Sequence, residues 1–209
     1  MRKIIIIGGG GHGRVLIDTI LSIGDYEIEG IVDETLPDNQ CIYGVRVLGN
    51  DMMLPHLFSM GVNNVCIAVG SVGDNSIRER LYYKVKEEGF VVPPILHPKA
   101  IVSERWVSIS EGVQVMAGAV VQSGCIIGEN TIVNTGAVVE HDRSIGKGVH
   151  ICPGVILSGG CTIGDGSFVG AGTVIIHGIT VGQHSLIGAG SVVVNNVADY
   201  SKIKGVPAR

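Results

Sequence analysis

The sequence has few charged residues and no long uninterrupted hydrophobic segment. Charged side chains make up 16% of the 209 residues, the formal net charge is -4, and lysine and arginine form no cluster. Because a nucleic-acid-binding surface is normally rich in clustered basic residues, we expect no nucleic acid partner. The mean hydropathy is +0.42, but no apolar run approaches the roughly 18 residues that a membrane-spanning helix needs. We therefore expect no membrane association.

The sequence also lacks the spacings of a disulfide framework or a metal site. It has five cysteines, an odd number, and no two of them form a CxxC motif. We therefore interpret the cysteines as reduced thiols. The histidines lack the spacing of metal ligands, so no metal is expected. Only four consecutive apolar residues precede the first glycines, which is too short for the core of a signal peptide. A cytoplasmic location is the expectation.

Residues 101 to 196 repeat a six-residue pattern without losing register. The third residue of each block is isoleucine, leucine or valine fifteen times in a row, and the sixth is glycine in eleven of sixteen blocks. From residue 130 onward, the exceptions at the sixth position tolerate a positive φ angle better than most residues: Asn130, Asp142, His184 and Asn196. A buried aliphatic residue that alternates with a tight corner predicts a parallel β-helix. Three strands close one coil, so the regular blocks predict about five coils.

A glycine-rich turn lies between a predicted strand and a predicted helix near the amino terminus. Residues 3–7 predict a buried strand, residues 8–13 have the spacing G-x-G-x-x-G, and apolar residues then follow with helical spacing. Glycines in such a turn let a phosphate approach the backbone at the positive end of the helix. A second predicted strand ends in Asp33 and Glu34, where a Rossmann unit places its ribose-binding acid.

A third predicted strand ends at Gly70, and a helix follows from Ile77. These elements predict an α/β Rossmann-like domain over residues 1–95, followed by the β-helix over residues 96–209. The first domain is short for a complete six-stranded dinucleotide fold, so its length allows one mononucleotide-sized half. A glycine turn that binds no ligand is the alternative interpretation of the motif.

Four segments together resemble a known family. The hexapeptide run, the opening IIGGGGHG, the block NTGAVVEHD and the closing GVPAR are similar to the sialic-acid O-acetyltransferase and bacillosamine-pathway sugar N-acetyltransferase family. The similarity extends over nearly the whole chain. It implies an N-terminal domain that binds a nucleotide sugar, a left-handed β-helix, a homotrimer, and acetyl-CoA bound as co-substrate between neighbouring β-helices.

The resemblance also implies roles for individual residues. His141 corresponds to the catalytic base and Asp142 to the acid that orients it, although a family member has the longer glutamate at that position. The residues implied to bind the nucleotide sugar are Gly11, His12, Gly13, Asp33 and Glu34, with Asn134 near the acceptor. Gly70, at the end of the third predicted strand, is also predicted to bind the substrate. The residues implied to bind acetyl-CoA are His150 near the thioester, Gly159 through its N–H at the thioester oxygen, and Ala171 and Ala189 in the groove.

The chemistry of acetyl transfer fits a histidine at this position. A base must remove a proton from the attacking atom, and a donor must stabilise the oxyanion. His141 is the fifth residue of its block, just before a corner, so its side chain is expected to point outward. The alternatives are that His141 is an ordinary surface histidine and that Asp142 is present only because a corner tolerates it. His150 lies half a coil further on, so a site that uses both histidines is expected to combine adjacent subunits.

The leading prediction is an acetyl-CoA-dependent N-acetyltransferase that acts on a nucleotide-linked amino sugar in surface glycan synthesis. O-acetylation of a sialic-acid-type sugar by the same site is the first alternative. A nicotinamide-dependent sugar oxidoreductase would use the glycine turn for its cofactor, but the domain lacks the second half of a dinucleotide fold. In the remaining alternative, the β-helix is only a scaffold for assembly. His177 and His184, near corners, are expected at the surface or in a groove.

Overall fold

The structure, a computed structural model, describes residues 1–71 and 73–209. They form two compact units. The first contains residues 1–71 and 76–98, and the second contains residues 73–75 and 99–209. No helix in the described part of the chain is long and apolar enough to cross a membrane.

The first unit is an α/β domain built on a five-stranded sheet. The strands of the sheet are β1 (Arg2–Ile7), β2 (Tyr26–Val32), β3 (Cys41–Ile42), β4 (Val45–Gly49) and β5 (Asn64–Ile67), and a short strand β6 (Ile95–Leu96) is not part of it. Its helices are α1 (Gly11–Ile23), α2 (Leu54–Ser59) and α3 (Ser76–Glu87), with a 3-10 turn at Asp51–Met53. The sheet order is β3-β4-β2-β1-β5, and every pair is parallel except β3 with β4.

The centre of this sheet explains the uninterrupted isoleucines near the amino terminus. Ile4 to Ile7 of β1 are all buried, and α1 covers the sheet with Leu16, Ile17 and Ile20. A strand in the middle of a parallel sheet is covered on both faces, so it reads as a continuous apolar run. Each such buried side chain contributes about 1.5–3 kcal/mol relative to an exposed one. The strands β1, β2 and β5 and the helices α1 and α3 confirm the elements predicted for this part of the sequence.

The hairpin of β3 and β4 was not predicted from the sequence. The antiparallel pairing joins only two residue pairs, Cys41 with Arg46 and Ile42 with Val45. Tyr43 and Gly44 make the turn, both with positive φ. Two-residue pairing is too short to produce the alternation by which a strand is recognised.

The second unit is a left-handed parallel β-helix of two-residue strands. In chain order they are β7 (Ile101–Val102), β8 (Ser108–Ile109), β9 (Gln114–Val115), β10 (Val120–Val121), β11 (Ile126–Ile127), β12 (Ile132–Val133), β13 (Val138–Val139), β14 (Ser144–Ile145), β15 (His150–Ile151), β16 (Ile156–Leu157), β17 (Thr162–Ile163), β18 (Phe168–Val169), β19 (Val174–Ile175), β20 (Thr180–Val181), β21 (Leu186–Ile187), β22 (Val192–Val193) and β23 (Lys202–Ile203).

These strands stack as three parallel sheets that form the faces of the β-helix. The first face contains β7, β10, β13, β16, β19 and β22, and the second contains β8, β11, β14, β17 and β20. The third face includes β9, β12, β15, β18, β21 and β23. Val120 pairs with Val138 and Ile126 with Ser144, which is the eighteen-residue coil that the six-residue period predicts. The predicted fold class is confirmed.

The corners between the faces are made by left-handed backbone. Every sixth residue from Trp106 to Gly190 has a positive φ, including Trp106 at 59° and Asp142 at 57°. Asn196 does not share it, and after it the coil shortens, because Leu186 pairs with Lys202. We call the corner between the first and second faces the histidine corner (residues 140–143, 158–161 and 176–179). The corner between the third and first faces is the alanine corner (residues 134–137, 152–155, 170–173 and 188–191).

The axis of the β-helix is filled by the third and first residues of the blocks. All third residues from Val115 to Val193 are buried, with at most 2% of their surface exposed. Most first residues are small or aliphatic, and buried hydroxyls among them bond to the backbone of the next coil, as Thr131 does to the carbonyl of Gly146 at 2.8 Å. Arg143 is a first residue as well and is also buried.

We predict that Gly136, a corner glycine, contributes to stability only by adopting a left-handed backbone conformation without strain. Its φ is +65°, and a methyl group added there would meet no atom within 4 Å. Gly136→Ala should lower the free energy of unfolding by about 1 kcal/mol, because an L-residue is strained in this region. Gly136→Asn should cost less, since asparagine tolerates the left-handed region better. Urea unfolding measures both variants, and an alanine variant as stable as the wild type would contradict this account.

Candidate active site

The glycine turn after β1 leaves room for a ligand beside the first turn of α1. Gly8 has φ +106°, and a methyl group on Gly13 would collide with the Gly8 carbonyl oxygen, so Gly13 allows α1 to approach β1 closely. A methyl group on Gly10 or Gly11 would instead meet nothing within 4 Å. Gly10 caps α1 without any side-chain hydrogen bond. The open turn therefore lies at the positive end of the helix, where a phosphate is favoured.

Asp33 connects this turn to the loop after β2 through hydrogen bonds. Its Oδ2 accepts a hydrogen bond from the Gly9 N–H at 2.8 Å. Its Oδ1 accepts hydrogen bonds from the Thr35 N–H and hydroxyl and from the Leu36 N–H, at 2.8, 2.8 and 3.1 Å. Burial raises the pKa of Asp33, but the four hydrogen bonds to its ionised form outweigh burial and leave the pKa below its usual value. Oδ2 keeps a lone pair that a ribose hydroxyl could use.

A cavity of about 460 Å³ lies at the carboxyl ends of the parallel strands. Its lining includes Gly8, Asp33, Glu34, Asp51, Val69 and Arg80. Gly70 lies beside the helix start, because a methyl group there would be 3.3 Å from the Cβ of His12. The residues of this unit that are predicted to bind the sugar nucleotide thus come after the carboxyl ends of three adjacent strands, β1, β2 and β5. They are Gly11, His12, Gly13, Asp33, Glu34 and Gly70. Ligands bind at this edge in open α/β sheets.

The histidine corner holds a histidine and a carboxylate in direct contact. His141 Nδ1 lies 2.8 Å from Asp142 Oδ2, so the aspartate reaches the ring despite its short side chain. Because an ionised carboxylate only accepts hydrogen bonds, the ring proton is assigned to Nδ1, which leaves Nε2 as the acceptor. The side chains of His141 and Asp142 are 54% and 76% exposed. A base with an oriented ring thus faces outward from the corner.

Gly159 lies beneath this base on the next coil. A methyl group on Gly159 would lie 2.8 Å from His141 Nε2 and 2.9 Å from His177 Nδ1, so a side chain there would displace one of the two rings. Within the described part of the chain, the Gly159 N–H donates no backbone hydrogen bond. It is therefore free to donate to an oxyanion that forms next to His141 Nε2.

Arg143 connects the two coils that carry these groups, and the sequence reasoning missed it. Its Nε donates to the carbonyl of Glu140 at 3.1 Å, and its Nη2 donates to the carbonyl of Leu157 at 2.9 Å. Only 1% of the residue is exposed, and burial lowers the pKa of its guanidinium. The available signal was a charge at the first position of a block, where the neighbouring coils have Cys125 and Cys161.

The remaining predicted residues lie at or next to the alanine corner. His150 is buried, its Nε2 lies 3.1 Å from Asn134 Nδ2, and its ring packs edge-on against Phe168. Because an amide nitrogen only donates, His150 Nε2 accepts and its proton is assigned to Nδ1. Ala171 and Ala189 are exposed on the same corner. Within one chain, the structure therefore does not join the residues at the alanine corner to His141, Asp142 and Gly159.

The buried cysteines do not supply a nucleophile to this unit. Cys125, Cys152 and Cys161 are buried, and no disulfide joins any of the five cysteines. Burial raises the pKa of the Cys152 thiol to about 12 and also raises that of Cys125. A thiol with a raised pKa is a poor nucleophile, since the thiolate is the reactive form. Within residues 1–71 and 73–209, no group of three or more histidine, cysteine, aspartate or glutamate side chains is arranged to hold a metal ion.

A β-helix that carries a histidine–carboxylate pair above a glycine N–H defines an acyltransferase, and family models agree with this class. The PglD N-terminal domain model matches residues 3–85. The bacterial transferase hexapeptide model matches residues 107–141, 144–177 and 160–195.

Solved structures extend the similarity to the whole chain. The H141N mutant of perosamine N-acetyltransferase from Caulobacter crescentus, in complex with CoA and GDP-perosamine, is 38% identical over 99% of this chain and 95% of its own, with a TM-score of 0.93. The acetyltransferase domain of PglB from Neisseria gonorrhoeae, in complex with acetyl coenzyme A, is 36% identical over 100% and 98%, with a TM-score of 0.90. WeeI from Acinetobacter baumannii, at 22% identity and a TM-score of 0.86, shares the fold. The chain belongs to this hexapeptide-repeat family of sugar N-acetyltransferases.

We predict that Asp33 makes the first unit sensitive to acid. Because its folded pKa is depressed, the ionised carboxylate stabilises the fold above its unfolded pKa of about 3.9, and this stability is lost as the pH falls through the folded pKa. Asp33→Asn should unfold more easily at neutral pH, since its NH₂ group faces donors. Urea titrations from about pH 7 to pH 3 should show a smaller acid loss for the variant than for the wild type. Equal losses would contradict the role of these hydrogen bonds.

We also predict that Arg143 supports the rate of the reaction. Arg143→Met keeps the length of the side chain but removes the hydrogen bonds to the carbonyls of Glu140 and Leu157. We expect kcat to fall by roughly 10- to 100-fold, because a small displacement of a reacting group lowers the rate by about this factor. Arg78→Met is the matched control, because buried Arg78 donates to the carbonyls of Ile67 and Val69 in the other unit. It should lose stability but keep kcat at saturating substrate. An unchanged kcat for Arg143→Met would exclude the role.

Proposed function

We propose that this protein transfers the acetyl group of acetyl-CoA to the amino group of a nucleotide-linked amino sugar in surface glycan synthesis. The observation that carries the proposal is the 2.8 Å contact between His141 Nδ1 and Asp142 Oδ2, with the Gly159 N–H beneath the free Nε2 of the ring. The similarity to N-acetyltransferases over the full chain supports nitrogen rather than oxygen as the acceptor atom.

In the proposed reaction, the amino group of the sugar attacks the thioester carbon. His141 Nε2 accepts the amine proton as the C–N bond forms, and Asp142 stabilises the resulting imidazolium through Nδ1–H. The carbonyl oxygen becomes an oxyanion and accepts a hydrogen bond from the Gly159 N–H. The C–S bond then breaks and releases CoA. The step needs no acyl-enzyme intermediate, which agrees with the raised pKa values of the thiols of Cys125 and Cys152.

The first unit binds the nucleotide portion of the acceptor in this proposal. The diphosphate would approach the open backbone of Gly10 and Gly11 at the start of α1, where a partial positive charge favours it. The cavity lined by Glu34 and Arg80 would hold the nucleoside. A guanine base has N–H groups that could donate hydrogen bonds to the carboxylate of Glu34. The complexes of the Caulobacter relative with GDP-perosamine support a GDP-linked sugar.

The acetyl-CoA site is proposed to lie between two chains of a homotrimer. His141, Asp142 and Gly159 would come from one chain. Asn134, His150, Ala171 and Ala189 would come from the alanine corner of its neighbour, where the two small side chains leave room for the coenzyme. This arrangement accounts for the separation of the two groups within one chain. Five cysteines without a disulfide support a location in the cytoplasm.

The direct test is a product assay with the purified protein. We expect acetyl-CoA and a GDP-linked amino sugar to give a product that is heavier by one acetyl group, detected by mass spectrometry together with release of free thiol. UDP-linked amino sugars and sugars with a hydroxyl in place of the amine are the comparison substrates. Acetylation of the hydroxyl sugar alone would replace the proposal with O-acetylation, and no acetylation of any sugar would contradict it.

Variants of the histidine corner test the assignment of the base. His141→Ala should lower kcat by about 10²–10⁴, the usual contribution of a general base, while acetyl-CoA affinity stays the same. Asp142→Gly should lower kcat less, and it should raise the melting temperature because it relieves an L-residue at φ 57°. A fully active Asp142→Gly variant would mean that the aspartate serves only the corner. A His141→Ala variant that keeps its rate would move the base elsewhere.

A further inference from the structure

A second imidazole lies at the histidine corner, on the far side of Gly159 from His141. Both rings occupy the fifth position of their blocks, two coils apart, with Gly159 at that position on the coil between them. A methyl group on Gly159 would lie 2.8 Å from His141 Nε2 and 2.9 Å from His177 Nδ1. The two nitrogens are therefore at most about 5.7 Å apart, the sum of those distances. Both nitrogens therefore lie next to Gly159, whose N–H is proposed to bind the thioester oxygen.

The two imidazoles have different neighbours along the chain. Asp142 is next to His141 and bonds to its Nδ1. Gly178 comes after His177, so no carboxylate follows this ring in the chain, and His177 is exposed. His141 is thus equipped to become an imidazolium when it accepts a proton. His177 has its nitrogen at the same point without an adjacent acid, which suits a group that gives up a proton.

The proposed acetyl transfer has two proton-transfer steps, and the role given to His141 covers only the first. The amine loses a proton as the C–N bond forms. When the C–S bond breaks, its electron pair stays on sulfur, and the thiolate must gain a proton to leave as the free thiol of CoA. A single ring could serve both atoms only in turn, whereas a second imidazole lets the sulfur be protonated while His141 still holds the proton of the amine.

We propose that His177 is the general acid that protonates the departing sulfur of CoA. His177, protonated at both ring nitrogens, donates its Nδ1 proton to sulfur as the C–S bond breaks. His141 then carries the proton from the amine. A separation of at most about 5.7 Å accommodates one bridging water, through which that proton returns to His177. Both rings regain their starting forms, and the overall reaction consumes no net proton. This inference rests on the proposed acetyltransferase function.

The test compares donors whose thiols differ in their need for a proton. With acetyl-CoA, His177→Gln should lower kcat by about 10²-fold, with an unchanged acetyl-CoA dissociation constant. With an acetyl thioester of 4-nitrothiophenol, whose thiolate leaves without a proton, kcat/KM of His177→Gln should remain within about threefold of the wild type. His141→Ala should lose rate with both donors, because the amine still needs a base.

His184→Gln is the matched control, since His184 is also an exposed corner histidine but stacks on Tyr200 at a ring distance of 5.4 Å. It should keep its full rate with both donors. A His177→Gln variant that is fully active with acetyl-CoA, or equally impaired with both donors, would overturn the role of a general acid. An inactive wild-type protein would instead reject the proposed function, so the two failures are distinguishable.

Discussion

The β-helix depends on one backbone constraint, a left-handed residue at every sixth position. This residue turns the chain after each two-residue strand, and three turns bring the chain back above its starting point. Parallel pairing then stacks identical positions eighteen residues apart, as for Val120 and Val138. Because an L-residue is strained in this conformation, most corners are glycine. The buried third-position column and the flat faces result from this constraint.

The same constraint explains how a site forms without a loop. Fifth-position side chains precede the left-handed residue and point outward on successive coils, so His141, Gly159 and His177 form a column. The spacing of the column is the spacing between strands, about 4.8 Å, which is close enough for two rings to meet above a glycine. Asp142 is a left-handed residue itself, with φ 57°. Asp142 therefore occupies a corner position where most blocks have glycine, and it also hydrogen-bonds to His141.

Much of the fold could be predicted from the sequence because each period is local. The six-residue repeat fixes strand, corner and coil length, and the glycine turn fixes β1, α1 and their connection. The hairpin of β3 and β4 could not be predicted, since pairing this short leaves no pattern. In the site, the Glu-His-Asp sequence pointed to the corner, but the reach of Asp142 depended on the χ angles of two side chains. The contacts of Arg143 with Glu140 and Leu157 depended on which way a first-position side chain points.

The separation of the two corners makes a direct test of a shared site possible. His141 and Gly159 lie at the histidine corner, while His150 and Ala189 lie at or next to the alanine corner of the same chain, so the proposed site, which uses both corners, requires two chains. Two inactive variants should therefore complement each other when they assemble together, as long as each supplies the corner that the other lacks. A site formed within a single chain predicts no complementation.

The measurement is the activity of mixed trimers made from His141→Ala and from a variant blocked at the alanine corner by Ala189→Trp. Each variant alone should be nearly inactive. After equal amounts are unfolded and refolded together, about a quarter of the sites should combine two intact corners in a closed trimer, so the mixture should regain about a quarter of the wild-type activity. Activity of the mixture that stays at the average of the two separate variants would contradict a site shared between chains.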